Sequence, residues 1–250
     1  MPVKLIVKED SNPYYTIFET FLKRQAILNG TVQVVSHSTL KYTGATNYSF
    51  HRANGDPMVT GSTFELDISK PVEVELYKSY LFMSLFAQSF ENLEHFLKEN
   101  VRCHLDHVMP EKKANEIVSK NMFRSNSEAI EIIKSIAPSV NAAFKRNLSF
   151  TNIKLDDWFH IVQEIRHCVV HQDQTVSSKL LELIEAKNKA KRVVYDAYFK
   201  TDRNESRITT DIIKIQKALR HVSTYAFVIL EGMSQTRDYR LNIFEMKVGL

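Results

Sequence analysis

Cysteine is scarce: the 250-residue chain holds two, Cys103 and Cys168, far apart in sequence. A secreted disulfide scaffold uses more, and a zinc ribbon pairs them closely, so neither class fits. Long apolar runs are missing as well. Stretches such as YAFVIL, 225–230, fall far short of the roughly 20 residues that cross a bilayer. The opening MPVKLIVKED lacks the apolar core of a signal peptide. A reducing, cytoplasmic location without a membrane partner is the expectation. No glycine-rich phosphate loop, no G-x-S-x-G and no paired C-x-x-C occurs. Nor is there a strong excess of charge. The net charge is +4, with no run of five or six like charges. That permits an anionic partner without demanding one.

Glycine is absent between Gly61 and Gly232, and only Pro71, Pro110 and Pro138 interrupt that stretch. It reads as a series of helices. Before it the composition differs. VKLIVK, 3–8, suits a short strand, and 13–28 places Ile17, Phe21 and Leu28 near helical spacing. Residues 31–76 are rich in Thr, Val, Tyr and Phe, and Gly44, Asn54-Gly55-Asp56-Pro57 and Gly61 punctuate them. A small antiparallel sheet is expected there. The fold class predicted is mainly α: an antiparallel helical bundle over 73–250, with a small N-terminal α+β portion over 1–72.

Five helical segments follow Pro71. Phe82, Phe86, Phe90, Leu93 and Leu97 form an apolar stripe on the first. The second, 126–145, is expected to bend or end at Pro138. The third runs from Asp156 to about His171, and the fourth, 178–199, is mixed and charged. The fifth runs from Ile208 to Met233 in alternating steps of four and three, the seam of a helix packed lengthwise. Gly232 is its expected stop. No internal repeat occurs.

The third helix carries the chemistry, around EIRHCVVHQDQ at 164–174. At about 100° per residue, Trp158, Ile161, Val162, Ile165 and Val169 share a core face, with Cys168 at its edge. His160, Glu164, His167 and His171 form a second stripe almost opposite, and Arg166 lies between the two. Such a stripe suits a solvated or packed face. His167 and His171, at i and i+4, also suit one metal ion, with Glu164 as a third ligand. Glu164-x-x-His167 has the spacing of a di-iron bundle. No second copy matches it: Glu91 and Glu94 in ENLEH lack a histidine at the right step, and His104-x-x-His107 is not fixed nearby.

The arginine adds a further reading. Arg166 and His171 enclose four residues, with His167 directly after the arginine and a polar turn after His171. This resembles the R-x4-H motif of the HEPN superfamily. The resemblance covers roughly residues 75–233: a long first helix, the motif helix and a closing amphipathic helix. It implies a dimerising helical bundle whose motif helices face each other. Many such proteins are metal-independent ribonucleases, found as toxins with a partner antitoxin or as effectors against phage. Others have lost activity and only bind.

The residue types suit that chemistry. RNA is cleaved by its own 2′-hydroxyl when one group moves protons and another holds the phosphate. Histidine titrates near neutrality and suits the first role. Arginine keeps its charge and grips phosphate oxygens with a planar fork. On a regular helix Arg166 and His171 point about 140° apart. Two chains about a two-fold axis bring both to one phosphate more easily than one chain does. The expectation is therefore an endoribonuclease without cofactor, a homodimer with its site at the interface. Arg166 and His171 are catalytic, and His167 and Glu164 supporting. Lys187, Lys189, Lys191 and Arg192 of KNKAKR are candidates to line an RNA path. The alternatives are a catalytically silent binding bundle and, third, a metal-binding bundle through Glu164, His167 and His171. Cys168 borders the core stripe, where cysteine is usually inert.

Overall fold

Proline opens three of the helices. The computed structural model describes residues 3–7, 12–37, 46–51, 57–64, 70–110, 112–113, 126–146, 153–185, 189–202, 206–239 and 241–246. Helix α1 spans Pro13–His37, α2 Pro71–Val108 and α4 Pro138–Phe144. At the first helical position proline's missing N–H costs nothing, and its fixed φ suits the helix. Asn12 caps α1, its Oδ1 accepting from Tyr14 N at 3.1 Å and Tyr15 N at 3.3 Å.

The remaining helices are α3 (Asn126–Ile136), α5 (Leu155–His171), α6 (Ser178–Glu185), α7 (Lys189–Tyr198) and α8 (Ile212–Gln235). The chain is mainly helical, with small antiparallel strand pairs. Strand β1 (Val3–Val7) pairs with β6 (Asn242–Met246), β2 (Thr46–His51) with β3 (Pro57–Phe64), and β4 (Lys200–Thr201) with β5 (Ile208–Thr209). No helix among the described residues is long and apolar enough to cross a membrane.

Helix α2 is the axis of the bundle. Its expected stripe, Phe82 to Leu97, is buried throughout. Helix α1 lies antiparallel on it: Gln25 Nε2 donates to Ser89 O at 3.2 Å, and Ser89 Oγ returns a bond to Gln25 Oε1 at 2.8 Å. Phe21 meets Phe96 with ring centroids 5.1 Å apart, and Phe18 reaches Phe227 of α8 at 6.1 Å. Thus α1, on the N-terminal side of Pro71, shares one core with α2 and α8. Each aromatic ring buried in it contributes about 2–3 kcal/mol. Helix α5 packs on α2 through Phe159 and Phe90, 5.7 Å apart, and on α8 through Trp158 and Tyr225, 5.1 Å apart.

Several expectations shift. The sheet was expected from residue 31, but 31–37 continue α1. Val32 is fully buried there, so tertiary packing overrides the β-preference of TVQVVS. Strand β1 forms as expected and pairs with β6, a strand absent from the expectations. The hairpin β2–β3 matches the expected sheet, and its pairing skips Gly61 and Ser62, so Gly61 marks a bulge rather than a turn. Gly44 and the Asn54-Gly55-Asp56 turn lie outside the described residues. Pro138 divides α3 from α4, as expected.

Gly232 does not stop α8. The helix runs on to Gln235, and a Cβ at 232 would collide with Val140 Cγ2 of α4. Glycine is there to let two helices approach. Gly30, inside α1, has nothing within 4 Å of such a Cβ. The two glycines therefore answer alanine with opposite signs. Gly232→Ala is expected to destabilise by about 1–3 kcal/mol through overpacking, against its better helix propensity. Gly30→Ala is expected to stabilise by about 0.5–1 kcal/mol. Urea unfolding of both variants reads the difference.

Buried His221 of α8 is 1% exposed, its Nδ1 lying 2.8 Å from Tyr198 Oη and 3.0 Å from Lys217 O. Burial pushes its pKa below the ordinary 6.5; the bond to Lys217 O opposes this, and the charges of Lys217 and Arg220 add to it. The unfolded chain then binds a proton more readily than the folded one, so stability is full above pH 6.5 and falls below it. His104, also lowered by burial, adds to the same slope. Stability is expected to drop between pH 7 and 5, and His221→Gln to flatten part of that drop. An unchanged slope in the variant refutes the assignment.

Candidate functional site

The end of α5 and the turn after it build the site. Gln172 N and Gln174 N both donate to Cys168 O, at 3.1 and 3.0 Å. Asp173 and Gln174 take left-handed φ values of 48° and 63°, which end the helix without a glycine. The turn is held against β5: Ile208 N donates to Gln174 O at 2.8 Å, and Val176 N to Ser206 O at 2.9 Å. Arg207 pairs with Asp173 at 3.1 Å. The chain therefore doubles back along α5 and starts α6.

That reversal covers Glu164. The expected stripe places it on the exposed side, yet Glu164 is 5% exposed. Its Oε1 accepts from Ser177 Oγ at 2.9 Å, and its Oε2 meets Lys179 Nζ at 2.8 Å. Ser177 Oγ in turn accepts from Leu180 N at 2.9 Å and caps α6. Glu164 thus ties α5 to α6. Nothing local in sequence announced this, because its partners arrive only when the chain folds back. The cap also went unread in the sequence, although its signal is there: serine before the apolar repeat of SSKLLE.

The histidines of the stripe lie in the open, and Arg166 lies partly under cover. His160, His167 and His171 are exposed. The rings of His167 and His171 stand 5.0 Å apart between centroids. Arg166 is half-buried, and its Nη2 donates to Glu91 Oε1 of α2 at 3.1 Å. Arg166 Nε is buried and meets no acceptor among the described residues. Glu91 is the partner that sequence reading missed, being 75 positions away. Cys168 is buried, and burial raises its thiol pKa, which makes it a poor nucleophile.

A concavity of about 310 Å³ opens beside α5. Arg166, His167, Gln163 and Gln172 line it from the motif side, Ser178 and Lys179 from α6, and Glu94 from α2. Arg166 and His167 therefore share one polar hollow, while His171 sits on the next turn against His167. Among the described residues no group of three or more His, Cys, Asp or Glu is arranged to hold a metal ion. His104 lies about 20 Å along α2 from Glu91, at 1.5 Å per residue, so CHLDH is not brought to the motif. Of the expected basic path, Lys187 lies outside the described residues, as does the side chain of Lys189. Lys191 is half-buried. Arg192 Nε donates to both carboxylate oxygens of Asp196, at 3.1 and 2.9 Å.

The Glu164–Lys179 pair makes a stability prediction. Lys179→Ala leaves a buried carboxylate with one donor and is expected to cost about 1–3 kcal/mol. Glu164→Gln in the same chain removes the charge, keeps an acceptor for Ser177, and is expected to restore part of that loss. A double-mutant cycle in urea checks it: equal instability of the single and double variants refutes the pairing. Comparison with family models, curated proteins and solved structures gives no match to this chain.

Proposed function

We propose that the chain is a metal-independent endoribonuclease of the HEPN type, acting as a homodimer in the cytoplasm. One observation carries the reading. Arg166 and His167 line one polar hollow, and the His171 ring stands 5.0 Å from that of His167. A guanidinium and one imidazole thus share the hollow, and a second imidazole stands just outside it at the end of α5; these are residue types that RNA cleavage uses.

In the reaction the 2′-hydroxyl gives up its proton and its oxygen attacks the neighbouring phosphorus. The bond to the 5′-oxygen breaks, and that oxygen takes a proton as it leaves. A 2′,3′-cyclic phosphate and a 5′-hydroxyl result. His171 moves the protons, and Arg166 neutralises charge on the phosphoryl oxygens. His167 supports either group. The roughly 140° between Arg166 and His171 around α5 favours a site completed by a second copy, whose His171 reaches the phosphate held here. Val170, 44% exposed next to His171, is apolar surface that such a copy covers. A toxin with an antitoxin partner, or a defence effector, is the setting that the R-x4-H resemblance implies. Lys191 and Arg192 remain candidates for the outer RNA path.

The second reading, a silent binding bundle, has its own observation: Arg166 already holds a carboxylate, Glu91. Activity separates the two. Purified protein in excess chelator is expected to cut single-stranded RNA to cyclic-phosphate ends. Arg166→Ala and His171→Ala are each expected to lose about 10²- to 10⁴-fold in rate, and His167→Ala less. Sedimentation is expected to show a dimer. Equal cleavage by wild type and both variants, or none by wild type, overturns the ribonuclease.

A further inference from the structure

We propose that Glu91 is an internal competitor for the RNA phosphate. Its carboxylate holds the edge of Arg166 that a phosphodiester takes, and RNA binding displaces it. The identity of the anion rests on the ribonuclease reading above.

The geometry of the fork carries the argument. Arg166 presents Nε and Nη2 as two parallel donors, the edge that carboxylates and phosphates grip bidentately. Glu91 engages only Nη2, at 3.1 Å, while Nε is buried without an acceptor among the described residues. The pairing is half made. A desolvated guanidinium N–H left in this way is costly, and a second acceptor oxygen relieves it. The two non-bridging oxygens of a phosphodiester can span both donors. A carboxylate that stayed in place would repel them.

Release is cheap. The side chains of Arg166 and Glu91 are 24% and 50% exposed, and ion pairs this open hold weakly. Glu91 also lines a second concavity of about 370 Å³ between α1 and α2, together with Arg24 and Gln88. A carboxylate leaving Arg166 thus has a hollow to enter that Arg24 also lines. Glu91 touches no reacting atom in this scheme. It sets how readily the phosphate site opens.

The test uses full-length protein and a fluorescein-labelled, mixed-sequence single-stranded RNA with 2′-O-methyl sugars, which binds but is not cut. Anisotropy is expected to show Glu91→Gln binding about fivefold more tightly than wild type. The gain is expected to vanish in an Arg166→Ala background and to shrink as salt rises. Thermal melting of each variant monitors folding. Unchanged or weaker binding by a fully folded Glu91→Gln overturns the competitor, because Glu91 then orients Arg166 or is idle. Wild type that cuts natural RNA while Glu91→Gln binds no better refutes the competitor alone. Wild type that neither binds nor cuts RNA refutes the ribonuclease and the competitor together.

Discussion

The apolar side of α2 has to be covered along most of its 38 residues, and that need places α1, α3, α5 and α8 around it. A helix of that length extends about 57 Å. No single neighbour covers it. Helix α1 takes one flank through Phe18, Phe21 and Val32, and α5 takes another through Phe159. The residue after α7, Phe199, has its ring 5.1 Å from that of Phe86. The site follows from this. Once Phe90 and Phe159 are in contact, α5 lies with its motif end beside Glu91, the residue after Phe90, and Arg166 reaches it. The ion pair is thus a consequence of core packing between two helices far apart in sequence, not of any local pattern.

The second constraint is the reversal after α5. Two left-handed non-glycine residues in a row cost roughly 1–3 kcal/mol each. They persist because the surroundings fix them. The backbone of Gln174 is bonded on both sides, and its Nε2 reaches Tyr80 O of α2 at 3.4 Å. The turn delivers Ser177 and Lys179 over Glu164. Folding and site-building are here one event: the same hydrogen bonds that end α5 also wall the concavity beside Arg166.

What was legible in the sequence is what local periodicity encodes. Phe82, Phe86, Phe90, Leu93 and Leu97 announced α2, and Trp158 to Cys168 announced the inner face of α5, because a buried stripe repeats at helical spacing. Pro138 marked a break that any helix must respect. The misreadings share one cause. TVQVVS prefers a strand in isolation and became helix because Val32 is needed in the core. Gly232 looks like a terminator and is a contact point for Val140. Glu164 fits an exposed stripe and is buried where Ser177, 13 positions later, folds back over it. In each case a partner distant in sequence decides, and periodicity carries no information about distant partners. The same limit hid Glu91.

The motif helix divides its equipment between two surfaces. Arg166 turns toward α2 and the concavity, while His171 stands on the last turn, outside it. His167 joins them, since it lines the hollow and also faces the His171 ring. A single phosphate gripped by Arg166 within one chain therefore meets His167 before it meets His171. For the proposed chemistry this makes the two histidines unequal. His167 is held near the anion by its own helix. His171 needs either the strained turn at Asp173 and Gln174 to give way or a second motif helix to approach. The turn is bonded to β5, to α2 and back to Cys168, so yielding would break several hydrogen bonds at once. A second chain would break none, and in the proposed dimer it would cover Val170. The rigidity of the turn after α5 is thus the strongest structural argument that the proposed reaction is shared between two copies.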